Sequence, residues 1–423
     1  MLMRVARLRP PRFTVPLWGF VLVVALAMTF LSNMSLLRHV ATLIPLDTFY
    51  GNVFFAAVPL FIVAVTALLI APLISNRFGK WICALLLIIN AMIGYLMSEF
   101  GASVNRGTID SFLETSPREA LHLVNAHAIW HVALLAVLPA LALGFVHVRR
   151  ASTRGRRWRE TFIAPALAVA TLALLAALFY KDFATLGSHD HQLINKVVPG
   201  NYLVGTTMRL RERWQTPGNF LVLGEDAKRE ASGSAKSLLV IVVGETARAK
   251  NFSMYGYARD TNPEMRARGA IALQNAHSCD TVTVYSVPCM FSNMTRNGFN
   301  AIRANYQSNL LDVLVKAGVA VEWIDNDAGC KGVCARVPSS EVFGDKNSRW
   351  CANGECLDEI LVEAFDTTTR KPSAGSCVIV LHAMGSHGPN YYSRYPNEYK
   401  RFTPACEEED LRRCTKESLE NAY

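Results

Sequence analysis

The chain is notable first for features that it lacks. No long apolar run lies after residue 180, so that part resembles an ordinary soluble domain. No small-residue cleavage site follows the first apolar run, which disfavours a removable signal peptide. No internal repeat or low-complexity stretch is present, which excludes a repeat or fibrous architecture. No close cysteine pair has C-x-x-C spacing, which disfavours zinc-binding cysteines.

The first 180 residues are strongly apolar. Of the 423 residues in the chain, 51% are hydrophobic. A helix needs about 20 apolar residues to cross a bilayer. Five runs approach or exceed that length, at 16–31, 53–74, 81–97, 128–148 and 162–180. Buried helices of a soluble protein are the alternative, but five such runs in 180 residues favour five membrane crossings.

Basic residues in the short loops predict the orientation. Twelve lie on the side of the N-terminus: Arg4, Arg7, Arg9, Arg12, Arg77, Lys80, Arg149, Arg150, Arg154, Arg156, Arg157 and Arg159. Three lie on the other side: Arg38, Arg106 and Arg118. We therefore expect a cytoplasmic N-terminus and an extracytoplasmic chain after residue 180. The net charge of +9 largely reflects this asymmetry, so no nucleic-acid partner is expected.

Cysteine usage agrees with an exported second half. Eight of the ten cysteines form near-neighbour pairs there: Cys279 and Cys289, Cys330 and Cys334, Cys351 and Cys356, Cys406 and Cys414. An even set of close pairs in an exported domain predicts local disulfides, with zinc sites as the alternative. Cys83 and Cys377 are expected to be buried thiols.

From residue 237 onward, the hydrophobic pattern predicts an α/β domain. Strand-like runs occupy 238–243, 270–273, 319–324 and 377–381, and helix-like runs occupy 307–317 and 357–365. Such alternation predicts a parallel, doubly wound sheet, and the unbroken aliphatic run at 238–243 predicts a strand buried on both faces. We expect a transmembrane domain at 1–180, a linker at 181–236 and a catalytic domain at 237–423.

Two residues carry the candidate chemistry. Glu245 follows the strand at 238–243, on the sheet edge where ligands bind in α/β folds, and its carboxylate suits a metal cation. The alternative is that Glu245 caps a following helix. Thr283 lies between Cys279 and Cys289, where a disulfide would fix its loop. A nearby helix N-terminus or a metal would favour the alkoxide form of Thr283.

The outward loop between the third and fourth apolar runs, 98–127, is longer than a tight connection needs. It places Glu114, Thr115 and Glu119 at helical spacing. A polar helix on the membrane surface could contact a lipid headgroup. The alternative is a solvated connector.

Three motifs occur here in a fixed order: V-G-E-T-A-R from Val243, S-V-P-C-M-F-S from Ser286, and L-H-A-M-G-S-H-G-P from Leu381. Together they resemble the lipid A phosphoethanolamine transferases of Gram-negative bacteria, which include the mobile colistin-resistance enzymes. The resemblance implies a five-helix membrane domain and a periplasmic α/β/α domain of the alkaline phosphatase/sulfatase fold.

The resemblance also implies roles for single residues. Glu245 would be a zinc ligand, and Thr283 would be both nucleophile and zinc ligand. His387 would handle the donor headgroup or a second metal, and Lys331 would bind the headgroup. Glu114, Thr115 and Glu119 would contact the headgroup from the outward loop.

The implied reaction transfers phosphoethanolamine from phosphatidylethanolamine to lipid A through a phospho-Thr283 intermediate, in the inner membrane, and confers polymyxin resistance. Another envelope glycan is the alternative acceptor. The chain also departs from the family pattern: Ser111 replaces a usual Asn, and Asp280 replaces a usual Gly. It stops at Tyr423 before the family's D-H-G-E zinc motif. We therefore expect a C-terminally truncated member, with an inactive membrane protein as the rival interpretation.

Overall fold

A computed structural model describes residues 13–74, 78–115, 120, 123–149, 152–190, 192–214, 218–229, 236–344, 348–352, 355–370, 375–388, 390–408 and 411–423. The chain forms two compact units. One comprises Met1–Ile109 with Val124–Arg211, and the other comprises Asp110–Leu123 with Glu212–Tyr423. The domain boundaries at residues 180 and 236 stay predictions.

Helices make up most of the first unit. In chain order, the described helices up to residue 214 are α1 Leu17–Ser32, α2 Met34–Leu43, α3 Phe49–Ile74, α4 Gly79–Phe100, α5 Arg106–Glu114, α6 Ala126–Phe145, α7 Arg154–His189 and α8 Gly200–Trp214. A π-helical stretch, Ala133–Val137, lies within α6, and a short 3₁₀ helix spans Leu193–Lys196. Two short strands, β1 Phe13–Pro16 and β2 Val146–Arg149, pair in parallel.

The described helices support membrane insertion. Four of them, α3, α4, α6 and most of α7, are long and apolar enough to cross a bilayer. A fifth crossing is present if α1 and α2, which meet at a bend of 68°, count as one span. Many large apolar side chains on these helices are exposed, among them Leu134 at 55% and Leu141 at 62%. Lipid would cover such surfaces, and the exact number of five crossings stays a prediction.

The second unit contains a four-stranded parallel sheet in the order β3-β8-β4-β5. Its strands are β3 Leu238–Val243, β4 Ala320–Asp325, β5 Ser339–Glu341 and β8 Cys377–His382. Aliphatic side chains fill the interior of β8, where Val380 is fully buried, because helices and loops cover both faces of this strand. A small antiparallel pair, β6 Cys351–Ala352 and β7 Glu355–Cys356, lies apart from the sheet.

Short helices lie between these strands and after β8. They are α9 Pro263–Ala267, α10 Thr283–Phe291, α11 Ala301–Asn305, α12 Leu310–Lys316, α13 Glu359–Thr369 and α14 Lys416–Ala422. Further 3₁₀ helices span Ala249–Asn251, Ser253–Tyr255, Arg296–Gly298, Tyr391–Ser393, Asn397–Tyr399 and Leu411–Arg413. The predicted helices at 307–317 and 357–365 correspond to α12 and α13. A capping box at Asn309 begins α12 at Leu310, three residues later than the apolar pattern alone suggested.

Two strand predictions need correction. Among the described residues, β3 has only β8 as a neighbour and lies at the edge of the sheet, and its side chains are largely exposed, with Val242 at 64%, rather than buried on both faces. The run 270–273 forms no strand, and Ile271 is 88% exposed. Aliphatic composition favours extended backbone, but a strand also needs a neighbour to complete its hydrogen bonds, and the described chain provides none for 270–273.

All four predicted disulfides form: Cys279–Cys289, Cys330–Cys334, Cys351–Cys356 and Cys406–Cys414. Cys330–Cys334 and Cys406–Cys414 close short irregular segments, Cys279–Cys289 ties the segment before α10 to that helix, and Cys351–Cys356 joins β6 to β7. Cys83 is a buried free thiol as expected, whereas Cys377 is only half-buried. Each disulfide therefore fixes a short local segment.

Candidate active site

The strand register aligns the candidate site at one edge of the sheet. Val243 of β3 and Asp325 of β4 both lie opposite His382 of β8. Because the strands are parallel, the segments that follow them emerge at the same edge. Glu245 and Asp327 each lie two residues beyond the aligned strand ends. The register thus brings together three chain segments that are far apart in sequence.

These segments form one candidate metal-binding group within the described residues. One ligand atom each from Glu245, Asp327 and His382 lies within 4.8 Å of the others. Asp327 and His382 are buried and Glu245 is half-buried. The sequence analysis identified Glu245 but missed Asp327 and His382. The same rule would have found them, since each follows or ends a predicted strand at its carboxyl end.

Asp325 organises two members of this group. Its Oδ2 accepts hydrogen bonds from His382 Nδ1 at 3.0 Å and from Trp323 Nε1 at 2.7 Å. Its Oδ1 accepts from the backbone N–H groups of Asp327 at 2.9 Å and Gly329 at 3.1 Å. Asp325 therefore sets both the orientation of the His382 ring and the turn that presents Asp327.

Carboxylates outnumber cationic side chains in this group. Burial raises the pKa of Asp327, and the nearby carboxylate of Glu245 adds to that effect. Although burial works against the charged form of Asp325, the hydrogen bond from His382 holds the pKa of Asp325 below its usual range. Burial likewise disfavours a charged His382 ring, but the Asp325 hydrogen bond and the surrounding carboxylates raise the pKa of His382. Closely spaced carboxylates of this kind are stabilised by a cation.

The group fits a metal ion. His382 Nε2 is buried and has no hydrogen-bond partner among the described residues, and it lies 3.7 Å from Asp327 Oδ2. A histidine whose Nδ1 is bonded to a carboxylate, with Nε2 directed at other anionic oxygens, is the usual arrangement of a metal ligand. One imidazole nitrogen and carboxylate oxygens form a donor set that suits zinc.

Thr283 lies beside this group. Its Oγ1 donates a hydrogen bond of 3.0 Å to Glu245 Oε2. Thr283 is the first residue of α10, so its hydroxyl lies at the positive end of that helix. Asp280 holds the backbone segment that leads into α10, because its Oδ1 accepts hydrogen bonds from the N–H groups of Thr281 at 2.7 Å and Val282 at 3.1 Å. The Cys279–Cys289 disulfide closes the same segment.

A cavity opens next to Thr283. The lining residues include four predicted from sequence, and the full set is Ser111, Thr115, Thr283, Val284, Asp327, Ala328, Lys331 and His387. Lys331 Nζ donates to the Ala328 carbonyl at 2.7 Å, and His387 Nδ1 lies 3.0 Å from the Gly388 carbonyl oxygen. The side chain of Glu114 is not described, and Glu119 lies outside the described residues. Thr115, Thr283, Lys331 and His387 therefore line one cavity, whereas Glu245 is not among its lining residues and is linked to it by the hydrogen bond from Thr283.

The loop that carries His387 packs against the backbone of Glu245. Gly385 has a φ of +54°, and a Cβ atom there would lie 2.6 Å from the Glu245 carbonyl oxygen. Asp358 holds the same loop, because its carboxylate accepts from the N–H groups of Met384 and Gly385, each at 2.8 Å. Glycine is thus required for the close approach of the two loops.

Tyr423 is a further residue that the sequence analysis missed. Its hydroxyl donates to the Thr246 carbonyl oxygen at 2.6 Å and accepts from the Arg248 N–H at 2.9 Å. Thr246 has a φ of 53°, which is unfavourable for a β-branched residue. Tyr423 therefore stabilises the strained turn that immediately follows Glu245. No local sequence signal predicts such a contact between distant residues.

Comparisons with known proteins identify the family of the chain. A family model described as phosphoethanolamine transferase EptA/EptB matches residues 62–213, and the sulfatase family model matches residues 237–422. Phosphoethanolamine transferase EptA of Escherichia coli K12 is 33% identical over 412 residues, which cover 96% of this chain and 75% of that protein. Phosphatidylethanolamine transferase Mcr-1 of Escherichia coli is 33% identical over 420 residues, covering 96% of this chain and 77% of that protein.

A solved structure supports the same family assignment. The integral membrane lipooligosaccharide phosphoethanolamine transferase A of Neisseria meningitidis superposes with a TM-score of 0.92 at 30% sequence identity, covering 98% of this chain and 77% of that chain. The resemblance inferred from the three motifs is therefore confirmed. The chain is an enzyme of the phosphoethanolamine transferase family, with apolar membrane helices and a sulfatase-like domain.

Proposed function

We propose that this protein transfers phosphoethanolamine from phosphatidylethanolamine to a phosphate group of lipid A, at the periplasmic face of a Gram-negative inner membrane. The observation that carries the proposal is the 3.0 Å hydrogen bond from Thr283 Oγ1 to Glu245 Oε2, beside a group able to bind a metal. Thr283 is the nucleophile. The names of the relatives support both substrates.

Zinc is the proposed cofactor. Glu245, Asp327 and His382 would hold it, and Thr283 lies close enough to Glu245 to join them. When bound, the ion would favour the alkoxide of Thr283 and neutralise negative charge on the phosphoryl group during transfer.

In the first step, Thr283 Oγ attacks the phosphorus of phosphatidylethanolamine. The Oγ–H bond breaks and its proton passes to Glu245 Oε2, the acceptor of the Thr283 hydrogen bond. The bond from Oγ to phosphorus forms as the bond from phosphorus to the glycerol oxygen breaks. That oxygen takes the proton from Glu245 Oε2 and leaves as diacylglycerol, and phosphoethanolamine remains on Thr283.

The cavity residues position the donor headgroup. Lys331 contributes a cationic ammonium group to a cavity that must accept a phosphodiester. Ser111 and Thr115 contribute hydroxyl groups and His387 contributes its ring. We also assign Glu114 and Glu119 to the headgroup, because a carboxylate would pair with the ethanolamine ammonium.

In the second step, a lipid A phosphate oxygen attacks the phosphorus. The bond from Thr283 Oγ breaks, Oγ takes up the proton that the attacking lipid A phosphate loses, and the modified lipid A leaves. The added ammonium group offsets negative charge on lipid A. Cationic peptides such as polymyxins would then bind the modified surface less tightly.

The test compares two substitutions at the nucleophile. Thr283→Ala removes the attacking oxygen, and we expect it to abolish the transfer. Thr283→Ser retains a hydroxyl and is the matched control, which should keep measurable activity. Mass spectrometry of lipid A from cells that express each variant would show the added mass, and wild-type activity in Thr283→Ala would refute the proposal.

A labelling experiment separates the alternative substrates. Cells that express the protein are given radiolabelled ethanolamine or radiolabelled glycerol. Ethanolamine label in lipid A supports the proposal. Ethanolamine label in a different envelope glycan would identify the alternative acceptor, and glycerol label would identify a different donor headgroup.

A further inference from the structure

A short hydrogen bond joins two segments of the catalytic unit that are far apart in sequence. The Tyr285 hydroxyl donates to Asp110 Oδ2 at 2.5 Å, across 175 positions of the chain. Asp110 is only 8% exposed. An O–H···O⁻ bond of this length is charge-assisted and about twice as strong as a neutral one. Neither residue belongs to the reaction proposed above.

Asp110 and Tyr285 each lie close in sequence to a different part of the cavity lining. Tyr285 lies two residues after Thr283, within the first turn of α10. Asp110 immediately precedes Ser111, and Thr115 follows one helical turn later, where its N–H and its Oγ1 both donate to the Ser111 carbonyl oxygen at 2.8 Å. The Asp110–Tyr285 bond therefore connects the cavity wall at Ser111 and Thr115 to the helix of the nucleophile.

Apolar packing does little to hold this wall in place. We call residues 110–115 the headgroup segment. Its two large apolar side chains, Phe112 and Leu113, are 55% and 63% exposed. Since hydrophobic burial usually fixes a segment, its near absence leaves the polar contacts to determine the position. Among the described side chains of the headgroup segment, Asp110 is the buried polar one, so its bond to Tyr285 is the main candidate for that role.

We propose that Asp110 and Tyr285 are a positioning pair that holds the headgroup segment against the nucleophile helix and thereby sets the affinity for the donor headgroup. The inference rests on the proposed function, because it assigns the cavity to the phosphoethanolamine group. Neither residue touches the reacting atoms. Loss of the bond lets Ser111 and Thr115 move away from Thr283, so donor binding weakens while the chemistry of a bound donor is preserved.

The experiment measures binding and turnover in the full-length protein in detergent. Phosphoethanolamine is titrated into wild type, Tyr285→Phe, Asp110→Ala and the double variant by calorimetry. A hydrogen bond to a charged group corresponds to a loss of about tenfold or more in affinity. We expect each single variant to show that increase in Kd, and the double variant to be no weaker than the singles, because all three lack the same bond. KM for phosphatidylethanolamine should rise in parallel, with kcat at saturating donor close to that of wild type.

Matched controls separate positioning from general damage. Tyr399→Phe removes a hydroxyl from a 63% exposed tyrosine, and Asp366→Asn removes the charge of an exposed aspartate, so both should bind like wild type. Zinc content and the thermal unfolding midpoint are measured for all variants. If Asp110→Ala proves unstable, Tyr285→Phe, which removes a single oxygen, decides the matter.

The outcomes distinguish the two proposals. An unchanged Kd in a stable Tyr285→Phe protein would overturn the positioning role, as would a wild type that does not bind phosphoethanolamine. A wild type that binds phosphoethanolamine but transfers none would refute the proposed function. The Kd values of the variants would still test whether Asp110 and Tyr285 set the affinity.

Discussion

Asp325 and His382 lie directly opposite each other at the carboxyl ends of two paired parallel strands, and a 3.0 Å hydrogen bond joins Asp325 Oδ2 to His382 Nδ1. Both side chains are almost completely buried, at 2% and 0% exposure. The pairing leaves Nε2 of His382 directed at Asp327. Asp325 thus orients His382 so that its Nε2 can serve as a ligand of the candidate metal site.

Replacing the Asp325 carboxylate should weaken metal binding without removing a ligand. Asp325→Asn keeps the size of the side chain but loses the charge that orients His382. Substitutions of such outer residues lower metal affinity by about 10-fold to 100-fold. Zinc affinity, measured by competition with a chromogenic chelator, should fall by that factor, whereas Asp366→Asn should leave it unchanged. Equal zinc affinity in the two variants would contradict the role of Asp325.

Removal of the metal should inactivate the enzyme and destabilise the second unit. Without a cation, Glu245 and Asp327 repel each other at the sheet edge. We expect dialysis against a chelator to abolish transfer and to lower the thermal unfolding midpoint, since a ligand that binds the folded state stabilises it. Zinc should restore both, while magnesium, which prefers an octahedral shell of oxygen ligands, should not. Full activity after complete metal removal would exclude the zinc proposal.

Gly385→Ala should disrupt the position of Glu245. The new Cβ atom would lie 2.6 Å from the Glu245 carbonyl oxygen, in addition to the strain of a positive φ. Gly318→Ala is the control, because Gly318 has a φ of +79° with open space around it. Both variants should lose about 1–2 kcal/mol of stability from backbone strain. Gly385→Ala alone should also lose zinc and transfer activity, so an active and zinc-loaded Gly385→Ala protein would show that the two loops can separate freely.

The Cys330–Cys334 disulfide should matter for donor binding as well as for stability. It encloses Lys331, which has a φ of 52° and lines the cavity. Replacing both cysteines with alanine should cost about 2 kcal/mol from the loss of a short closed loop. We expect a higher KM for phosphatidylethanolamine, because the Lys331 turn is no longer held.

The pair Cys406 and Cys414 supplies the control for that experiment. It closes a loop with a sequence separation of 8, against 4 for Cys330 and Cys334, and neither cysteine lines the cavity. Its replacement should lower the unfolding midpoint with no change in KM. An equal change in KM for both pairs would indicate a general loss of structure.

The membrane orientation is open to a direct test. The excess of basic residues in the N-terminal and 149–159 loops predicts that these segments are cytoplasmic. A reporter that is active only outside the cytoplasm should be active when fused after Leu221 and silent when fused near Arg154. The reverse pattern would contradict the predicted orientation.

Local sequence patterns predicted many of the helices and strands of this protein and two of its site residues. The apolar runs at 53–74, 81–97 and 128–148 match α3, α4 and α6 to within about four residues, because hydrophobic length is a local property, whereas α7 extends well beyond the run at 162–180 on both sides. Three of the four strand runs form strands, and Glu245 and Thr283 lie where the strand end and the disulfide loop placed them. The motifs also identified the family. Each of these inferences depends on residues close together in the chain.

Only the tertiary structure decided which distant residues meet. Asp327 and His382 join Glu245 because the parallel register aligns three strand ends, and a sequence states strand positions without stating their neighbours. The aliphatic run of β3 predicted a buried strand, yet the sheet order places it at an edge, since burial depends on neighbours rather than on composition. Tyr423 reaches the turn after Glu245, and Asp110 reaches Tyr285, through contacts that span 177 and 175 positions. Such contacts arise from chain topology, which no local pattern encodes.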